Sequence, residues 1–255
     1  MEAGVLLGPP AGDGGVLQAV KVALYTAIYG QSDWVKPIPY LDNPGTGGQM
    51  TPAYLYTDSI AVAEEADSLG WSSRLVSHYI ATVKGDPRIT APMLAHKWWK
   101  THPELACPDA DISIWVDGSM EIYSDDFIVR CIEALGTDDW ACVPHPARVS
   151  IYAEGEYSAT LTWRYDPESI LAQIRHYQQF HTRDWGLVAT GHNVRRHTPE
   201  VIELSHQWWD ENLNWSHQDQ LSLPVLLRLH EEKVKWNMNL PWHQWWKLHE
   251  HGPGV

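Results

Sequence analysis

Cysteine is scarce in this chain, and its three copies are scattered. Cys107, Cys131 and Cys142 form no Cys-x-x-Cys pair, which excludes a zinc knuckle and a disulfide scaffold and points to a reduced, cytoplasmic protein. Phenylalanine is rarer still, at 2 residues against 15 tryptophans. No apolar run approaches the length that crosses a bilayer. Residues 1–18 are rich in Gly, Pro and Ala, lack the basic start of a signal peptide and read as a flexible leader. Positive charge is also short: 18 Lys and Arg stand against 32 Asp and Glu, a formal net charge of −14. That excludes non-specific nucleic-acid binding through a broad basic surface, but not through a local groove. From Arg130 to Arg196 the cations are all arginine: Arg130, Arg148, Arg164, Arg175, Arg183, Arg195 and Arg196. Arginine suits bidentate phosphate contacts better than lysine does, although most of these are expected to be solvated or paired with nearby acids.

Tryptophan is what the chain has in excess. Its flat apolar face and single N–H donor suit sugar rings and bases as well as cores. The doublets Trp98-Trp99, Trp208-Trp209 and Trp245-Trp246 cannot bury both rings on one helix face, because neighbouring positions point about 100° apart. One ring of each pair is therefore expected at a second interface or a cleft.

At 255 residues the chain has room for one large domain with a real core, or two small ones. Val20 to Tyr29, Ala53 to Thr57 and Trp71 to Val76 read as strands. Pro92 to Thr101 reads as a helix, and Ser124-Asp125-Asp126 caps another over Phe127 to Leu135. Trp140 to Pro144 is a strand, and Asp166-Pro167 opens a helix over about Glu168 to Phe180. Two strand segments flank Gly191, and helices follow over Pro199 to Asn212 and His217 to His230. Residues 236–255 form a tail dense in Trp and His. The alternation of strands and helices favours an α/β fold with a largely parallel sheet.

The segment with most chemical content is Asp111-Ile112-Ser113-Ile114-Trp115-Val116-Asp117-Gly118-Ser119. It reads as a buried strand that stops at an acid and a glycine. Strand ends are where α/β folds build sites, and an acid there can hold a divalent metal beside phosphates. Asp-Gly-Ser also makes an ordinary turn.

With these segments in order, the chain resembles the glycosyltransferase-like domain family, once a domain of unknown function, found in plant cell-wall synthesis and in many bacterial sequences. The matching pieces are Val22 to Gly30, Tyr56-Thr57-Asp58-Ser59, His96-Lys97, His102-Pro103, Ser113 to Ser119, His145-Pro146 with Arg148, Val194-Arg195-Arg196-His197, Trp208-Trp209, and Ser216-His217-Gln218-Asp219-Gln220-Leu221-Ser222. They cover about Val20 to Val225. The resemblance implies a GT-A-like (Rossmann-like) fold over residues 19–235, with a mixed, mostly parallel central sheet flanked by helices. It also implies a nucleotide-sugar donor, a UDP-sugar first, and sugar transfer to a hydroxyl. Two departures stand out: Asp117 is followed by Gly118-Ser119 in place of a second acid, and Gln218 stands where a basic residue is expected.

On that resemblance a metal ion (Mn²⁺ or Mg²⁺) or cationic side chains would stabilise the departing diphosphate. Asp117 is the candidate metal ligand, or a ribose-positioning acid if no metal binds, and His243 in the tail is the candidate second ligand. Thr26, Tyr29 and Asp58 would face the nucleotide, with Arg74 and Lys97 on the diphosphate. Asp219 would take the acceptor's proton or orient its hydroxyl, although an acid there also complements a helix dipole. His197 would be an alternative base. His145, Arg148, Trp208 and Trp209 would line the acceptor side. The acceptor stays open among a glycan, a lipid-linked sugar, a protein, a small molecule and a hydroxymethylated base in DNA of the phage type. A non-catalytic Trp-rich carbohydrate-binding protein and a metal-dependent hydrolase are the rivals.

Overall fold

The computed structural model describes residues 20–251, except residue 31 and residues 44–48, 78–80 and 183–184. The expected leader, residues 1–18, lies outside the described residues. The elements run β1 (Val22–Ile28), β2 (Ala53–Thr57), α1 (Ile60–Ser68), β3 (Ser72–Leu75), α2 (Ala91–Thr101), α3 (Pro103–Ala106), β4 (Ile112–Val116), β5 (Met120–Ile122), α4 (Phe127–Leu135) and β6 (Trp140–Pro144). They continue through α5 (Ile151–Thr160), α6 (Pro167–Tyr177), β7 (Val188–Arg196), α7 (Pro199–Asn214), α8 (Asp219–Leu229), β8 (Trp236–Asn237) and β9 (Trp246–Leu248).

Seven strands form one sheet in the order β3-β2-β1-β4-β7-β6-β8. β7 is antiparallel to both its neighbours, and the other strand pairs in this sheet are parallel. The fold is thus the expected mixed, mostly parallel central sheet flanked by helices. The two segments around Gly191 prove to be the single strand β7. Strand order reverses between β1 and β4, and such a switch point leaves a crevice at the strands' carboxyl ends.

Both central strands are buried along their whole length, as helix layers on both faces require. The two-residue period sorts their side chains. Leu24, Ile28, Ile112, Ile114 and Val116 pack with Phe127, Ile128 and Cys131 of α4 on one face. Ala23, Tyr25, Ala27, Tyr29 and Trp115 pack with Ala95 and Ala106 of α2 and α3 on the other. A neighbouring cluster on Trp140, Cys142 and Val188 seats α7 and α8, and α5, α6 and α8 share a further one. The tail is built into this body: β8 pairs with β6, and β9 pairs with β5 in a small second sheet. The three cysteines are buried and free. Among the described residues no helix is long and apolar enough to cross a membrane.

Candidate active site

Three elements bring charge to the carboxyl end of β4. The strand ends at Asp117, whose Oδ1 accepts the Trp115 Nε1–H at 2.7 Å and the Lys100 ammonium at 3.2 Å. Lys100 also lies 3.0 Å from Asp219 Oδ2, the oxygen that Lys97 binds as well. The other Asp219 oxygen accepts from Thr190 of β7 at 2.7 Å. His96 Nε2 stands 3.7 Å from Asp117 Oδ1. His96, Lys97 and Lys100 share one face of α2, because residues three and four apart are neighbours on a helix. Asp219 opens α8, and its backbone carbonyl accepts the Trp208 indole N–H at 3.2 Å. Lys100 is closed in by the Trp115 and Trp208 rings, 5.7 and 5.8 Å from its ammonium.

Two ammonium groups and two carboxylates thus alternate, with Lys100 and Asp219 buried and Lys97 and Asp117 partly open to solvent. Burial alone would raise both carboxyls, but neighbouring cations outweigh it: Lys100 and Lys97 hold Asp219 far below the usual carboxylate range, and Lys100 and His96 lower Asp117. Burial works against the charge on Lys100, yet the two aspartates leave its pKa raised. Burial wins at Lys97, which is lowered against the pull of Asp219. Burial also takes His96 down to about 4, so it is neutral at pH 7.

The turn after β4 is tight. A Cβ on Gly118 would come within 2.8 Å of Ile28 Cγ1 and 3.1 Å of Asp33 Oδ2, so glycine is what lets the loop after β1 close against the end of β4. The other Asp33 oxygen lies 2.9 Å from His251 Nδ1, which brings the end of the tail to the same corner.

A second arm reaches the cluster from the loop after β6. His145 Nδ1 accepts the backbone N–H of Arg148 at 3.0 Å. Arg148 binds the buried Glu154 and stacks 4.0 Å from the centre of the Tyr157 ring. Glu154 accepts in turn from the Gln218 amide at 2.9 Å. The residue expected to be basic is therefore a neutral donor to a buried acid, one position before Asp219.

The structure brings Lys97, Asp117 and Asp219 together, and joins His145 and Arg148 through Glu154 to Gln218, the residue before Asp219. Other expected residues are placed differently. His197 lies at the opposite end of the sheet: its N–H bonds to the Asp111 carbonyl, and Arg196 pairs with Ile112 at the start of β4. Six residues of strand, about 20 Å, separate that point from Asp117, so His197 cannot be a base there. Trp208 and Trp209 are buried, the first behind Asp219 and the second edge-on to Trp98 of α2, so neither offers a face to an acceptor. The Tyr29 hydroxyl takes the Trp99 N–H at 2.9 Å and donates to the Val76 carbonyl at 3.2 Å, inside the core. Arg74 folds back along its own edge strand onto Ser72 and the Tyr54 ring. Thr26 is buried beneath the site, lining a cavity of about 10 Å³ with Asp117 and Gly118. Asp58 follows β2 at the carboxyl rim. His243 rests its ring on Trp242 and Trp246. Reasoning from sequence missed Lys100, His96, Thr190, Asp33 and Glu154. The signal for Lys100 was its spacing of three from Lys97.

Among the described residues no three His, Cys, Asp or Glu side chains converge on one point. Both Asp219 oxygens and one Asp117 oxygen are already occupied by donors. An ammonium stands where a further ligand would be needed, so the donor set does not fit a divalent cation.

Residues 91–246, from α2 to the start of β9 and including both lysines and both aspartates, match the family described as TOD1/MUCI70, glycosyltransferase-like domain. The chain belongs to that family. Among solved structures it is similar to mouse xyloside xylosyltransferase 1 in its apo form, with a TM-score of 0.46, 9% identity, and coverage of 86% of this chain and 84% of that one. It is similar also to a CMP:2-keto-3-deoxy-manno-octonic acid synthetase complexed with CTP, with a TM-score of 0.42, 14% identity and 92% of each chain covered. Similarity this low says nothing of the reaction. No curated protein matches the chain in sequence.

Proposed function

We propose that the protein transfers a sugar from a nucleotide-sugar donor, a UDP-sugar first, to an acceptor hydroxyl. The observation that carries this reading is where the charges lie. Lys97, Lys100, Asp117 and Asp219 meet at the carboxyl end of β4, beside the switch point and inside the segment that matches the family. In this reading Asp58 and the β1 rim face the nucleotide and Asp117 orients the ribose. Lys97 meets the diphosphate without Arg74, whose guanidinium is turned away. Asp219 fixes the lysines and orients the hydroxyl. With three donors on its oxygens it is too weak a base to take the proton.

The acceptor lies along the second arm. Tyr157 is half exposed, with Arg148 against its ring, and an aromatic face next to a cation suits a sugar better than a row of phosphates. Arg195, Arg196 and Arg130 are not available for such a row. Arg195 is wholly buried, Arg196 binds the Gly136 and Asp138 carbonyls, and Arg130 pairs with Asp126. Arg183 lies outside the described residues. A carbohydrate hydroxyl is therefore the acceptor we favour, and a hydroxymethylated base in DNA is the competing outcome.

A thermal-shift screen against UDP-, GDP- and TDP-sugars, followed by a donor-consumption assay with glycan and DNA acceptors, tests the reading. One nucleotide class should stabilise the protein, by an amount that grows with ligand over Kd. Asp117→Asn should remain folded and lose roughly 100-fold or more in turnover. A folded protein that no nucleotide sugar shifts, or an Asp117→Asn variant of normal turnover, would sink it.

A further inference from the structure

We infer that Lys97 and Lys100 take the place of a divalent cation at the donor's diphosphate, so that donor binding and transfer need no metal. This rests on the glycosyltransfer reading above and adds the source of the positive charge.

A GT-A-type metal needs free carboxylate oxygens at the strand end, and here one Asp117 oxygen is free. The position of the missing second acid offers no substitute. Ser119 is buried, and its carbonyl accepts the His249 N–H at 2.8 Å, beneath the tail. Asp33, whose Oδ2 would lie 3.1 Å from a Cβ on Gly118, is bound through its other oxygen to His251. What stands beside Asp117 is Lys100, at 3.2 Å, and a dication entering there would meet that ammonium at close range in a low-dielectric pocket.

The two lysines divide the task by exposure. The Lys100 side chain is 2% exposed and bridges both aspartates, so it is fixed. The Lys97 side chain is 14% exposed and holds one carboxylate that Lys100 and Thr190 also hold. Lys97 can therefore leave Asp219 for a phosphate oxygen without stranding a bare buried anion. In the transfer the bond from the anomeric carbon to the diphosphate oxygen breaks, its electron pair staying on the diphosphate. The acceptor oxygen bonds to that carbon, and the hydroxyl proton passes to water. Lys97 meets the charge that gathers on the diphosphate, while Lys100 stays between Asp117 and Asp219 and neutralises the carboxylate that Lys97 leaves.

Calorimetric titration of UDP, GDP and dTDP into the full chain, in EDTA and then in Mn²⁺, decides the matter. One nucleoside diphosphate should bind in EDTA, with Mn²⁺ changing Kd by less than about twofold. In EDTA, Lys97→Met should weaken binding by about tenfold or more, and Lys97→Arg should stay within about threefold of the parent. Unfolding curves confirm that each variant is folded, and the EDTA and Mn²⁺ comparison on the unmodified protein needs no variant. Binding that appears only with Mn²⁺, or a folded Lys97→Met variant that binds as the parent does, overturns the inference and leaves the glycosyltransfer reading standing. No binding of any nucleoside diphosphate under either condition rejects that reading, and this inference with it.

Discussion

Asp219 has three donors on two oxygens, with Lys97 and Lys100 on one and Thr190 on the other, and it is buried. Among the described residues, removing it would leave Lys97 without an ion pair and Lys100 with Asp117 alone. Breaking a buried charge pair in this way typically costs about 3–5 kcal/mol, and urea unfolding of Asp219→Ala should show a loss of that order. A loss below about 1 kcal/mol would mean that the lysines reach water and that the cluster is a surface feature. At this scale Asp117, Lys97 and Asp219 were legible in the sequence because each sits in a short recognisable piece. Lys100 was not. A lysine on an amphipathic helix ordinarily belongs to the solvated face, and only the Trp115 and Trp208 rings, from two other elements, close it in. His197 misled for the converse reason: it follows β7, which runs antiparallel to its neighbours and so ends away from Asp117.

Helix and strand boundaries were most legible where a cap and an apolar period coincide. The expected helix Phe127–Leu135 and strand Trp140–Pro144 are observed with those bounds. Helix α5 was not legible. Gly155 sits in its middle, and a Cβ there would come within 2.5 Å of Ile174 Cγ2, so that glycine serves the close approach of α6 and not the helix's own propensity. Gly118 is the same kind of residue at the site. Gly118→Ala should drive its methyl into Ile28 and Asp33, with a stability loss of about 1–3 kcal/mol and a larger proportional loss of nucleotide binding. Thermal unfolding and titration check the two effects. A variant as stable as the parent that also binds nucleotide normally would show that the turn after β4 has slack.

For the whole molecule the dominant expectation concerns acid. Burial holds His96, His102, His192 and His197 down to about 4, against roughly 6.5 in an unfolded chain. Below pH 6.5 the unfolded state binds more protons at all four. Their contribution is complete above that pH and is lost as pH falls towards 4. Asp117 and Asp219, also lowered, extend the loss below the usual carboxylate range, near 3.9. The melting temperature should fall steadily from pH 6.5 to 4.5. A flat profile over that interval would mean that these histidines take up protons without unfolding the protein.

The sequence by itself determined the α/β alternation, the buried central strands and the acid at the end of β4. Those properties depend on residues close together in the chain: a period of two, a cap, a glycine after an aspartate. Only the tertiary structure decided what that acid meets. Lys97 and Asp219 are 122 residues apart, and they become partners because α2 packs over one face of the sheet while α8 begins at its rim. Burial then turns ordinary charges into a fixed cluster. Its strength comes from excluded water and long-range contact, which no local pattern of residues encodes.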